Sequence, residues 1–377
     1  MIRRRTIALV PATIGLVLAA SVGAPVKAEA QAEPVVTTYT YVPLGWLGIV
    51  PVGRPFSEAA DVNMSRQVVG YSSTDTSPAG HAFFFEDGRM EPVAPIYAPG
   101  QNGATSINDS GHIAGYTHVN NTDPPHAFIR RDGVTIDLGT GWGSGSGSAA
   151  HAINNKGVVV GQRHESAAHP TRPVMWKDGR IRDLGTLGGE AGQARTNLGR
   201  AYDINDKDQV VGESLPSTGY PMRGFLWENG RMTDLGTLAD GGRGDTVAQA
   251  INEKTQITGW SPDAANKPIA FLWEAGSMRA LGTLLGGTRS YGHDINESGQ
   301  VVGLSYIGDS LYVHRAFLWK NGQMTDLNTV VTNLPPDVSL ATAHAINDDG
   351  VIVGRTCYHC EPGKTADEHA YMLIPNS

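Results

Sequence analysis

The residues of this sequence best equipped for chemistry are His126, His151, Tyr202 and Arg223, with His293 further along the chain. Imidazoles, a phenol and a guanidinium together offer proton acceptors, a proton donor and a fixed cation, the means of general acid–base catalysis on a polar substrate. Their positions are not random. His151, Tyr202 and His293 each stand three residues before the asparagine of a recurring motif, in a series that runs Ala60, Thr105, His151, Tyr202, Gln249, His293 and His344. His126 and Arg223 head a second recurring motif, in the series His81, His126, Arg172, Arg223, Ile269, Arg315 and His369. The framework around both series hardly changes from copy to copy, whereas these positions do. Divergence of this kind within one chain points to specialised copies around a single asymmetric site. The alternative is plain: a His or Arg at a strand start can cap a loop or pair with a carboxylate.

The first motif is a small residue, Ile or Val, Asn, two variable residues, usually Gly, then an apolar pair and Gly. It reads DVNMSRQVVG at Asp61, SINDSGHIAG at Ser106 and AINDDGVIVG at Ala345, with four further copies between. Its asparagines are Asn63, Asn108, Asn154, Asn205, Asn252, Asn296 and Asn347, spaced 44 to 51 residues apart. The second motif alternates with it, as in RPVMWKDGRIRDLG and RGFLWENGRMTDLG. Each motif is a hairpin. Asn at the first turn position caps its own backbone, while Asp-Gly and Asn-Gly are the preferred two-residue hairpin turns. A ring of seven bound metals on the asparagines is rejected, since capping accounts for every copy.

Two hairpins give four strands per repeat, the size of a propeller blade. The chain is thus all-β: a seven-bladed β-propeller with four antiparallel strands per blade. The last copy ends at HAYMLIP and lacks a fourth strand, while TYTYVPLG, ending at Gly45, matches the missing MTDLG piece. An N-terminal outer strand is therefore expected to complete the C-terminal blade and close the ring. Starts of first and third strands lie on one face of such a disc, fed by the long loops where repeat proteins bind ligands.

His81-Ala82-Phe83 and His126-Ala127-Phe128, with His369-Ala370-Tyr371 close to them, carry a His-Ala-Phe signature. On these residues the chain resembles the extracellular HAF-repeat family of β-propellers, a resemblance that implies location but no chemistry. The diverging residues in turn resemble the equipment of propeller-type polysaccharide lyases such as the ulvan lyases, which cleave beside a uronic acid by β-elimination. That resemblance implies Arg223 on the substrate carboxylate, His151 and Tyr202 sharing the base and acid roles, and His126 or His293 orienting the sugar. His344, Arg172, Arg315 and Trp142 complete the expected substrate contacts, with Trp142 in a flexible glycine- and serine-rich loop. Trp46 and Trp260 are further stacking candidates. A non-catalytic propeller binding glycans or proteins is the alternative, and a purely structural envelope protein a third.

Residues 1–32 have a basic start, an apolar middle and an A-x-A end, which marks a secretory signal peptide. Residues 33–377 are expected as one propeller domain, secreted and monomeric. Setting aside Arg3, Arg4, Arg5, Lys27 and Glu29 leaves 25 of the 29 basic and 36 of the 37 acidic residues, a net of −11. That charge argues against nucleic acid as a partner and weighs against a polyanionic one. No later segment is long and apolar enough to span a bilayer. The chain's 2 cysteines, Cys357 and Cys360, suit a local disulfide in an exported protein. A zinc site on both with His359 or His369 is the other reading. No cofactor is required, with structural zinc or calcium left open.

Overall fold

Turn chemistry written into the repeat builds the architecture. The computed structural model describes residues 37–48, 55–75, 80–93, 101–118, 124–141, 143, 145–166, 170–188, 198–239, 243–308, 312–358 and 368–376. The leader expected at 1–32 lies outside the described residues, as do Trp142, His359 and Cys360. Each repeat forms a four-stranded antiparallel sheet, and seven such sheets make the propeller. In blade 3, Gly147–Ile153, Val159–His164, Arg172–Lys177 and Arg180–Asp183 pair in chain order. The first strands of adjacent blades pack against each other all round the ring, so they are innermost. Blade 7 consists of Val338–Ile346, Ile352–Tyr358 and Ala370–Pro375, with Tyr39–Gly45 as its outer strand. Tyr39 lies opposite Pro375, which closes the ring as the sequence predicts.

The outer hairpins turn with both central residues at positive φ, as at Asp87 (48°) and Gly88 (81°) or Asn229 (51°) and Gly230 (85°). Blade 5 puts Ala275 (50°) where the other copies use Asp or Asn. The inner turns are capped by the repeat asparagines. Asn205 Oδ1 accepts from the backbone N–H of Lys207 (3.1 Å) and Gln209 (3.0 Å). Its Nδ2 then reaches the next blade and donates to the carbonyl of Asn252 at 3.1 Å. The same bond runs from Asn63 to Asn108, on through each asparagine in turn, and from Asn347 back to Asn63. Capping is therefore half of the asparagine's task. The other half is a closed ring of hydrogen bonds that stitches the blades together.

Two residues before each asparagine the chain reads Asp61, Ser106, Ala152, Asp203, Ala250, Asp294 and Ala345. The aspartates and the serine of this series serve the backbone N–H groups one position further on, in their own blade or the next, which would otherwise be orphaned inside the ring. Asp203 accepts from Ile204 in its own blade (2.8 Å) and Ile251 in the next (2.8 Å). Asp61 serves Val62 and Ile107, and Asp294 serves Ile295 and Ile346. Ser106 accepts from Ile153 at 3.3 Å and donates to Asp61. Three aspartates serving two blades each, plus one serine, satisfy an odd-numbered ring, so the alanines beside them carry no burden.

The glycine after each apolar pair has a steric cause. A Cβ on Gly70 would sit 2.0 Å from the carbonyl oxygen of Glu58, and one on Gly303 2.0 Å from that of Tyr291. Behind the glycines lie Phe83, Phe225, Phe271, Phe317 and Tyr371, fully buried between blades. Trp176, Trp227 and Trp319 belong to the same core. Arg182 and Arg279 of the preceding blades cover Trp227 and Trp319 at 4.7 and 4.8 Å.

Candidate functional site

Every first strand bulges at the same point. The register slips between Ala59 and Asp61, between Ala150 and Ala152, between Ala201 and Asp203, and likewise in the other four blades. The extra residue is the one three before the asparagine. A bulge re-aims a side chain, and here it turns Ala60, Thr105, His151, Tyr202, Gln249, His293 and His344, all half-buried, toward the axial channel. The diverging series is thus one layer of the channel wall.

The histidines of this layer have fixed tautomers. His151 Nδ1 lies 2.7 Å from the carbonyl of Ala201, His293 Nδ1 2.9 Å from that of Ala343, and His344 Nδ1 2.9 Å from that of Ala59. A carbonyl only accepts, so each Nδ1 carries the proton. His151 therefore keeps an Nε2 lone pair. Burial holds its pKa below the ordinary imidazole value, with Arg200 adding to the effect. Burial and the neighbouring His344 push His293 down to about 3.

Above the bulges, toward the loop face, the residue five before an asparagine meets the residue eight after the asparagine of the preceding blade at three of the junctions. This junction is used in three ways. Between blades 3 and 4, Arg200 Nε donates to Gln162 at 2.9 Å, while its Nη1 pairs with Glu213 at 2.7 Å. Tyr202 Oη donates to the same Glu213 oxygen at 2.8 Å, and its ring stacks on His151 at 5.4 Å and 16°. Burial, with Glu213 alongside, drives the Tyr202 pKa upward, so the phenol keeps its proton. Between blades 7 and 1, Glu58 lies 3.6 Å from Arg355 and accepts from Tyr71 at 2.7 Å. His344 Nε2 stands 3.5 Å from Glu58, and Arg355 also pairs with Glu368 at 2.6 Å. Between blades 5 and 6 the junction is aromatic, Trp260 against Tyr291 at 5.3 Å.

The heads of the third strands belong elsewhere. His126 pairs with Asp137 at 2.9 Å, Arg172 with Asp183 at 2.7 Å and Arg315 with Asp326 at 3.0 Å, each time on the outer strand of the same blade. These are structural clasps at the periphery, two strands removed from the axis. Arg223 reaches the carbonyl of Gly244 at 3.5 Å. In register it lies opposite Ser214, whereas Glu213 lies opposite Gly224, so Arg223 and Glu213 leave opposite faces of blade 4. The structure therefore brings His151 and Tyr202 together, and His293 with His344 at 5.6 Å. It does not join His126 or Arg223 to them. Arg200, Glu213, Glu58, Arg355 and Tyr71 are the residues that sequence reasoning missed. Their signal was present in two series as varied as the bulge series: the position after each VVG-type triplet reads Tyr71, Tyr116, Gln162, Glu213, Trp260, Leu304 and Arg355, and the position five before each asparagine reads Glu58, Gly103, Ala149, Arg200, Val247, Tyr291 and Thr342.

Cys357 is buried and disulfide-bonded, and a sulfur so held is no thiolate ligand. Among the described residues no group of three His, Cys, Asp or Glu side chains is arranged to hold a metal. No described helix is long and apolar enough to cross a membrane.

No family model matches the chain, and no curated protein matches its sequence. Its fold has counterparts among solved structures. It is similar to the gluconolactonase of Xanthomonas campestris at 11% identity and a TM-score of 0.40, over 90% of each chain. It is similar to a putative TolB of Agrobacterium tumefaciens at 13% identity and a TM-score of 0.44, over 77% of this chain and 94% of that one. An acylaminoacyl peptidase of Pyrococcus horikoshii matches at 11% identity and a TM-score of 0.50, over 85% of this chain but only 52% of the peptidase. The chain is a seven-bladed β-propeller. Similarity at this level establishes the fold alone, so function has to come from the site.

Proposed function

We propose that the protein is a secreted, monomeric polysaccharide lyase that cleaves a uronic-acid-containing chain by β-elimination at the loop-face mouth of its axial channel. The observation that carries this reading is the stacked pair of His151 and Tyr202, a neutral imidazole with a free Nε2 against a phenol that keeps its proton. His151 Nε2 takes the proton at C5 of the uronate. The electron pair released forms the C4–C5 double bond as the C4–O bond breaks, and Tyr202 donates its proton to the departing oxygen. Arg200, beside both, takes the carboxylate-neutralising role first expected of Arg223. Glu213 holds Arg200 and Tyr202 in place. The leader-like residues 1–32 support export.

A second reading, a propeller that binds glycans without cleaving them, is favoured by one observation. Arg200 and Arg355 are each already matched by glutamates, which lowers the attraction of the mouth for a polyanion. Ultraviolet absorbance of the new conjugated double bond, followed over a panel of uronic-acid polysaccharides, separates the two. A rise lost in Tyr202→Phe and His151→Ala is expected. No rise on any polymer, with glycan binding still seen by calorimetry, would leave the binding propeller.

A further inference from the structure

Four aromatic rings climb away from the channel mouth over blades 5 and 6. Trp260 packs edge-on to Tyr291 at 5.3 Å, Tyr291 lies 6.2 Å from Tyr306, and Tyr306 lies 5.4 Å from His314. All four residues are half-buried. The series runs radially. Tyr291 is on the innermost strand of blade 6, two residues from the bulged His293, while Tyr306 and His314 sit opposite each other on its second and third strands.

The repeat does not ask for these rings. At the position of Tyr291 the other blades carry Glu58, Gly103, Ala149, Arg200, Val247 and Thr342. At that of Tyr306 they carry Ser73, His118, His164, Leu215, Pro262 and Cys357. At that of His314 they carry Gly80, Pro125, Thr171, Met222, Pro268 and Glu368. Neither tyrosine hydroxyl has a hydrogen-bond partner among the described residues, in contrast to Tyr71, Tyr202 and Tyr371, whose hydroxyls all donate within the fold. The same junction that holds Arg200 on Gln162 and Glu58 near Arg355 is here filled by two rings. Rings with an apolar face and a wet polar edge are the groups that serve binding surfaces.

We infer that this aromatic arc is an extended subsite that seats the sugar rings flanking the reactive residue of a glycan chain. Each step of the arc is about the length of one pyranose, the ring faces take the C–H faces of successive sugars, and the free hydroxyls take their OH groups. The inference rests on the mouth being a carbohydrate site, but not on its being catalytic. It predicts affinity that grows with chain length, because each added sugar meets another ring.

The test is calorimetric titration of the full chain with two ladders of two, four and six residues, one of oligogalacturonate and one of neutral xylo-oligosaccharide. On at least one ladder the six-residue chain should bind about tenfold more tightly than the two-residue one, the amount one or two stacked rings supply. Tyr306→Ala and Tyr291→Ala should erase that gain and leave two-residue binding unchanged, while Tyr306→Phe should keep it. Cooperative melting of each variant verifies the fold. Length dependence on the neutral ladder alone, lost in Tyr306→Ala, would uphold the arc and overturn the uronate reading. Binding that does not grow with length on either ladder, or that survives in both alanine variants, would overturn the arc.

Discussion

The two ends of the axial channel are built from the same seven strands and are opposites in design. At the turn end every copy does one thing: an asparagine caps its own turn and holds the next blade, and the circle closes without exception. Toward the loop end, three to five residues before each asparagine, the copies part company. One junction pairs a cation with an amide, another a carboxylate with a guanidinium, and a third two aromatic rings. Uniformity marks where the ring needs mechanical closure. Diversity marks where the fold leaves the residue free to vary. A repeat protein thus carries its own control, since six sister positions show what the fold requires and the seventh shows what it does not.

Substitutions at the two ends should separate cleanly, and the largest effect belongs to the loop end. His151→Ala should lower turnover of a cleaved uronic polymer by about 10³-fold, about 4 kcal/mol in barrier height, with little change in melting temperature. Initial rates alongside a thermal melt check this, and a large drop in stability at unchanged rate would reverse the assignment of the two ends. Asn205→Ala should do the converse. It strips two turn bonds, a bond to the Gln209 side chain and one inter-blade bond from a buried site, and should cost about 3 kcal/mol of stability. Denaturant unfolding that moves by less than about 1 kcal/mol would show that the ring is redundant.

The aspartate layer between the two ends makes stability depend on pH. Burial, helped by Asp203 and Asp61, raises Asp294 to about 8, and burial raises Asp203 to about 6. A carboxyl whose pKa is raised by folding contributes stability that is full below its unfolded pKa, about 4. That contribution is lost as pH rises through the folded value. The melting temperature should therefore fall between about pH 4 and pH 8 on account of this group, and level off above it. Asp294→Ser, the residue blade 2 uses, should flatten that slope, and an unaltered slope in thermal melts would remove Asp294 as its source. The smallest effect concerns blade 5. Ala275→Asn restores the residue type its positive φ prefers and should add about 0.5–1 kcal/mol, read from chemical denaturation; no gain would mean the turn is unstrained.

Much of the fold could be read from the chain because the repeat states its turns openly. Asp-Gly, Asn-Gly and the capped asparagine each fix a backbone conformation locally, and the divided last copy fixes ring closure. The site was only half legible for equally physical reasons. The variable residues three before each asparagine were visible, but nothing in their types announces the bulge that turns them to the axis. Asp61, Asp203 and Asp294 read as interchangeable with alanine, because their partners are backbone N–H groups, one of them on a neighbouring blade. Among the strand heads, His126 was expected to be catalytic and Arg172 and Arg315 to touch substrate, and each has an aspartate 11 residues further on as its clasp.

Tyr39–Gly45 pairs along its length with Ala370–Pro375 and touches the segment around Val331 at its start. Six blades are each complete within one contiguous stretch and can form in the order of synthesis. The seventh waits. The entropy of joining so distant segments grows slowly with length, but encounters of that kind are rare on the folding timescale. Until then the molecule is an open arc with two raw sheet edges that can pair with another chain. The ring cannot be fastened before Ala370–Pro375 has been made to receive Tyr39–Gly45, and a chain without that strand has no partner for the N-terminal one in blade 7.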